Sequence, residues 1–357
     1  MLDANTDRPL RLIGVASGLG GPAWAQAACA QGPAVLRTAA IEAAARRNGC
    51  DCAWDAILTP ATGPTATVLP ELLQTLAARV AACVMRGELP VVLGGDHSIA
   101  AGTWRGAAYA QQQLAPAGEF GLLWIDAHLD AHTPATSPSG NLHGMPLAAL
   151  LGIEVPGLSL AGAPRLDARH LYLVGARSFE AAEMLLLRRL GVRIYDMEEI
   201  NRRGLATVIT EALRRLVAAT AYFGVSIDLD AVDPTDAPGV STPCSYGLSG
   251  TALCQALRGI CHQPKLVALE IAEFNPAHDS DGRSARLAAA LLEAATAHSG
   301  TPRCAREDRH GVLATATHGT VIHLPPPLTV ADSELDQTVT AIAAAQSEVE
   351  RELPRAA

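Results

Sequence analysis

Residues 120–130, FGLLWIDAHLD, decide the fold. The first six are an unbroken apolar run of strand length. Such runs read as strands buried on both faces, as in parallel sheets covered by helices. Asp126, His128 and Asp130 follow at once, spaced i, i+2, i+4. On extended chain that spacing puts all three side chains on one face. Carboxylates so close are costly unless protonated, paired or bound to a cation. The bland alternative, a solvated acidic loop, fits poorly with an apolar run leading straight into the cluster.

Working outward, further short apolar runs at 10–16, 90–93, 170–174, 192–194, 221–227 and 265–271 read as strands. Helical patterns lie between them at 32–47, 69–86, 99–113, 179–190, 206–219 and 250–261, and a last one follows at 284–297. This alternation predicts an α/β fold, three-layer α-β-α with a central, mainly parallel sheet. There is no internal repeat.

Two more clusters follow expected strands. Gly94-Gly95-Asp96-His97-Ser98 comes after an apolar run. Its glycines allow a tight turn, and its ordinary reading is a helix start capped by Asp96 or Ser98. Asp228-Leu229-Asp230 ends the run at 221–227, and Asp233 before Pro234 reads as a turn residue. Ligands of open α/β sheets bind beyond the carboxyl ends of strands, where all three clusters fall. Apart from Asp96, they together offer two imidazoles and four carboxylates, donors that suit Mn²⁺ and its neighbours. Six such ligands can hold two ions if carboxylates bridge, and ions roughly 3.5–4 Å apart can share and activate one water.

The chain has 357 residues, enough for one large domain or two. At 49% hydrophobic and 18% charged it has ample material for a core. A formal charge of −9, with Lys265 the sole lysine, argues against binding nucleic acid. No apolar run reaches the ~18 residues of a membrane span, and the first residues lack a signal-peptide pattern. Eight cysteines without a CxxC pair suggest reduced thiols and a cytoplasmic protein. Composition shifts near residue 300, so we expect an α/β domain over 1–300 and a small appended segment over 301–357. In that segment Pro325–Pro327 exclude helix, and 331–353 is amphipathic.

The motifs DAHLDAHTPATSPSGNLHGMPLAALLG, LGGDHSIAAGT, SIDLDAVDPTDAPGVSTP and EIAEFNP, with QGPAVLRTAAI nearer the start, resemble the arginases, binuclear manganese ureohydrolases. The resemblance spans about residues 10–300, and SPSGNLHGMP separates it from the agmatinases. It implies that His97, Asp126, Asp130 and Asp228 hold one manganese. Asp126, His128, Asp228 and Asp230 would hold the other, with Asp126 and Asp228 bridging. Co²⁺ or Ni²⁺ would suit the same ligands. Glu273 would receive the guanidinium beside Thr242, and a hydroxide shared by the two ions would attack it. Asp130 would deliver a proton to the leaving nitrogen, and His143 would shuttle protons to solvent.

At the amino-acid end, Ser137, Ser139 and Asn141 match family positions that contact the α-carboxylate. Glu180 falls where an aspartate contacts the α-amino group, and Ser178 replaces a second aspartate. His132 stands where arginases usually have an asparagine that donates a hydrogen bond to the α-carboxylate, and an imidazole can donate there as well. The implied reaction is arginine hydrolysis to ornithine and urea by a homo-oligomer, trimeric or hexameric. Two alternatives are hydrolysis of another guanidino acid, such as guanidinobutyrate, and a non-catalytic metal-binding homologue.

Beyond residue 300, HGVLATATHGTVIHLPPPLTVADSELDQTVTAI is similar to the C-terminal end of ornithine aminotransferases. Pyridoxal phosphate needs a Schiff-base lysine. Lys265 belongs to the hydrolase portion, so no transaminase activity is expected.

Overall fold

The apolar runs become the inner strands of one sheet. The computed structural model describes residues 8–38, 41–162, 164–297, 315–317 and 321–323. The strands are β1 (Leu10–Val15), β2 (Cys52–Leu58), β3 (Leu89–Leu93), β4 (Phe120–Ile125), β5 (Leu171–Ala176), β6 (Arg193–Asp196), β7 (Tyr222–Asp228) and β8 (Leu266–Ala272). They are hydrogen-bonded in the order β2-β1-β3-β8-β7-β4-β5-β6, every pair parallel. Strands β3, β8, β7 and β4 are therefore neighbours at the centre, and every residue in them is buried. Their carboxyl ends carry the three sequence clusters and Glu273.

The helices are α1 (Ala23–Cys29), α2 (Gly32–Thr38), α3 (Ile41–Arg46), α4 (Thr65–Met85), α5 (Ala100–Leu114), α6 (Pro146–Leu150), α7 (Ala181–Leu190), α8 (Met197–Arg203), α9 (Leu205–Ala219), α10 (Gly250–Ala256) and α11 (Arg283–Thr296). Strand alternation sends side chains to the two sheet faces in turn. Leu123 and Ile125 join a core with Leu36, Val208, Leu216, Leu253 and Leu291 on one face. Leu122 and Trp124 join a core with Leu73, Leu76, Ala107 and Leu147 on the other. Two apolar cores separated by a sheet are the three layers expected. Each fully buried Leu, Ile or Val contributes roughly 1.5–3 kcal/mol.

Several elements differ from the sequence reading. The edge strand β2 was not anticipated: it has one β-branched residue, Ile57, and Asp55 at its centre, and much of it is only half-buried. Helices α1, α6 and α8 were also not anticipated, being only five to seven residues long. Helix α4 begins at Thr65 and not at 69; its first turn escaped the sequence reading because TAT carries no apolar stripe. By length and composition α4 could cross a membrane. It is a core helix instead, with Leu69, Leu73, Leu76 and Val80 fully buried against the sheet. The helix expected over 250–261 ends at Ala256. Gly259, at φ 74°, starts a separate 3-10 turn. Lys265 donates from Nζ to the carbonyls of Val217 and Thr220 at 2.6 and 2.8 Å, a cation satisfying the end of α9.

The chain divides into two compact units, 1–298 and 299–357. The second has a described antiparallel hairpin, β9 (Thr315–Thr317) and β10 (Val321–His323), with Val321 opposite Thr317. The amphipathic stretch 331–353 and the prolines at 325–327 lie outside the described residues.

Candidate active site

Strands β3, β4 and β7 each deliver candidate ligands through their own terminal turn. After β3, Gly94 and Gly95 adopt φ 81° and 78°. A Cβ on Gly94 would come within 2.6 Å of Pro33, and one on Gly95 within 2.9 Å of the Val15 carbonyl. Only glycine fits that turn. Asp96 then caps the following turn, accepting from Ser98 N at 2.9 Å, as expected, and also from Gly20 N at 2.8 Å. This presents His97, 1% exposed, to the ends of β4 and β7.

Nδ1 of His97 lies 3.2 Å from Asp126 Oδ2, 3.0 Å from Asp130 Oδ2 and 2.9 Å from Asp228 Oδ2. A second group forms beside it: His128 Nδ1 is 3.1 Å from Asp230 Oδ2 and 3.6 Å from Asp126 Oδ1. The two sets, His97–Asp126–Asp130–Asp228 and Asp126–His128–Asp230, each bring their donor atoms within 4.8 Å of one another. Asp126 belongs to both. Asp228 groups with the first alone, its Oδ1 accepting from Asp230 N at 2.7 Å.

The far side of His97 decides what its near side can hold. Ser226 Oγ donates to Glu270 Oε1 at 2.8 Å and lies 3.0 Å from His97 Nε2. A hydroxyl has one hydrogen. With that hydrogen given to Glu270, Ser226 accepts from His97 Nε2–H. The neutral ring then turns its Nδ1 lone pair toward three carboxylates, an arrangement that requires a cation or an added proton. Nδ1 of His97, Oδ2 of Asp130 and Oδ1 of Asp230 are buried without a hydrogen-bond partner of suitable geometry. The donor set thus fits oxygen- and imidazole-preferring divalent ions.

Ionisation follows the same crowding. Burial disfavours the charged form of His97, yet Asp126, Asp130 and Asp228 outweigh it and raise its pKa well above the usual value. Burial also works against ionised Asp126, but His128 and His97 hold its carboxyl well below the usual range. Burial, then the Asp126 charge, pushes Asp130 up to about 7. Burial and the charges of Asp230 and Asp126 raise Asp228 strongly.

A cavity of about 290 Å³ opens above these residues. His128, Asp130, Asp228 and Asp230 reach it from the candidate metal-binding sets, and His143, Thr242 and Glu273 line it. His132, Ser137, Ser139, Asn141, Ser178 and Glu180 line it too, whereas His97 and Asp126 do not. Thr242 Oγ1 donates to Asp230 Oδ2 at 2.9 Å. Ser137 and Ser139 hydroxyls accept from Gly140 N and Asn141 N at 3.0 and 3.2 Å, setting the loop. Glu273 accepts from His97 N at 2.8 Å and sits 2.9 Å from His143 Nδ1. Among the described residues, three non-glycines have left-handed backbone, and Asp130 (φ 48°) and Glu273 (φ 61°) are two of them. Such backbone costs of order 1–3 kcal/mol and collects at functional sites.

Sequence reasoning missed the buried partners. Glu270 is fully buried and accepts from Trp104 Nε1 at 3.2 Å as well as from Ser226. Trp124 stacks on His97 with ring centroids 4.2 Å apart and donates to Asp126 Oδ2 at 2.8 Å. Glu183, on α7, lines the cavity and accepts from Ala131 N at 3.1 Å. The strand period could have placed Ser226 and Glu270 on known faces, but not beside each other.

Paired imidazole–carboxylate sets at the ends of a parallel sheet, beneath a polar cavity, define an α/β metallohydrolase. The arginase family model matches residues 9–297. The arginase of Bacillus caldovelox is 41% identical over 224 residues, 62% of this chain and 73% of that protein. That of Brevibacillus brevis is 38% identical over 224 residues, with the same coverage of 62% and 73%. The solved B. caldovelox arginase superposes with a TM-score of 0.75 at 34% identity, covering 81% of this chain and 98% of that one. The chain belongs to the arginase family, whose members are metal-dependent amidinohydrolases.

Proposed function

We propose that this protein is an arginase, hydrolysing the guanidinium of L-arginine to L-ornithine and urea. The observation that supports this best is the juxtaposition at one cavity of the two metal-binding sets and Glu273. In this reading His97, Asp126, Asp130 and Asp228 hold one cation, and Asp126, His128, Asp228 and Asp230 the other. When bound, such a pair makes hydroxide available from water near neutral pH.

The protein's own groups supply the rest. Glu273, ionised and 1% exposed, receives the guanidinium and fixes its carbon in place. Thr242 stands beside it on Asp230. Asp130 delivers a proton to the leaving nitrogen. His143 moves protons between this site and solvent. Ser137, Ser139 and Asn141 take the α-carboxylate, and Glu180 faces the α-amino group.

We further propose Mn²⁺ as the native metal, with Co²⁺ or Ni²⁺ as substitutes for the same donors. Family resemblance supports a trimer or hexamer. A cytoplasmic setting is supported by the buried free thiols of Cys29, Cys52, Cys83 and Cys261. Residues 301–357 are read as an appendage without catalysis of its own.

The test incubates metal-free protein with Mn²⁺ and arginine, measuring urea and ornithine together, with agmatine and guanidinobutyrate alongside. Both products from arginine, only after metal addition, are expected. Urea from another guanidine alone moves the substrate and keeps the chemistry. No urea from any, with metal bound, overturns the reading.

A further inference from the structure

The cavity wall formed by His132, Glu180 and Glu183 carries a contact that the arginase resemblance does not contain. His132 Nε2 lies 2.9 Å from Glu180 Oε2 and 3.2 Å from Glu183 Oε2. Its Nδ1 lies 3.3 Å from Thr136 Oγ1. Both ring nitrogens are thus engaged, and the side chain is only 11% exposed. An imidazole nitrogen facing two carboxylates carries its hydrogen. Glu183 is held rigidly besides, accepting from Ala131 N and Glu180 N, both at 3.1 Å. The two carboxylates at the mouth therefore already share an N–H donor from the protein.

We propose that His132 is a specificity-determining residue. By donating to Glu180 and Glu183 it takes the seat of a substrate α-ammonium group, so the site tolerates guanidino acids that lack that group. The inference rests on the arginase reading and deepens it. It also reassigns His132: engaged on both nitrogens, the ring is a partner of the acidic wall, not a donor to the substrate carboxylate. A site built to bind a polar substrate group rejects the analogue lacking it by 10⁴–10⁵. A wall already satisfied by its own imidazole loses most of that discrimination, because no buried carboxylate is left unpaired when the ammonium is missing.

The test compares kcat/KM for L-arginine and 5-guanidinopentanoate, which is arginine without the α-amino group, on the Mn²⁺-loaded full chain. For the wild type a preference for arginine below about 10³ is expected; a larger preference overturns the proposal. H132N should raise that preference about tenfold or more, mainly through a lower arginine KM. A preference that is unmoved or falls also overturns it. E180Q gives a second reading: it should cost arginine binding more in the H132N background than beside His132, and equal costs count against the proposal. If H132N does not fold, the wild-type ratio still decides. Hydrolysis of neither compound by metal-loaded wild type refutes the arginase reading itself, whereas hydrolysis of both with ratios unmoved by H132N refutes only the role of His132.

Discussion

Nδ1 of His143 lies 2.9 Å from Oε1 of Glu273, joining residues 130 positions apart. The loop carrying His143 is tied down independently, its N–H donating to the Gly20 carbonyl at 3.0 Å. The same Glu273 oxygen accepts from His97 N. One carboxylate therefore links the proposed shuttle to the turn that sets the first metal ligand.

The pair makes stability depend on pH. Burial disfavours charged His143, but Glu273, with Asp96 and Asp130 beyond, raises its pKa to about 9. A group with a raised folded pKa adds stability that is fully present below its unfolded pKa, about 6.5, and lost as pH rises through 9. Urea unfolding of metal-free protein should show stability falling by about 3 kcal/mol from this source between pH 6.5 and 9. H143N should flatten that slope. Parallel slopes in both proteins would mean the pair does not titrate as a unit.

Metal addition should stabilise the native state alone, by about 2.7 kcal/mol for each site at a hundredfold excess over its Kd. D228N should lose that gain and its turnover. Without metal, D228N should equal or exceed the wild type, because it removes a buried carboxylate crowded by Asp230 and Asp126. Thermal unfolding with and without Mn²⁺ checks both. A normal metal response in D228N would remove Asp228 from the ligand set.

The relay behind His97 should tune metal affinity. S226A breaks the link from His97 Nε2 to Glu270. Loss of such a partner typically costs 10–100-fold in metal affinity, measurable by calorimetric titration. Gly224→Ala attacks the same relay from the core, since its Cβ would overlap the Trp104 ring. It should destabilise the fold by about 1–3 kcal/mol.

Tyr246 is 88% exposed with a left-handed backbone, φ 62°. Asparagine tolerates that conformation far better. Tyr246→Asn should raise stability by about 1 kcal/mol in urea unfolding. A decrease would show that the tyrosine ring makes a contact worth more than the strain.

Hydrophobic pattern made the central strands legible because they are buried on both faces and read as unbroken apolar runs. β2 escaped because an edge strand shows only part of one face to the core, so Asp55 and half-buried positions dilute the signal. The short helices α1 and α8 escaped because two turns leave too few positions to show a period. The six proposed metal ligands were legible because each sits at a strand end beside another candidate or a glycine turn.

The sequence by itself determined the layered α/β arrangement and the three candidate clusters, since these depend on local period and spacing, and its motifs that resemble the arginases pointed to the family. Only the tertiary structure decided which side chains meet. Ser226 and Glu270 lie on adjacent strands β7 and β8, and sheet register puts them opposite each other behind His97. His132 meets Glu180 and Glu183 because the loop after β4 folds against the start of α7. Contacts between distant segments follow from strand order and register, which no local pattern encodes.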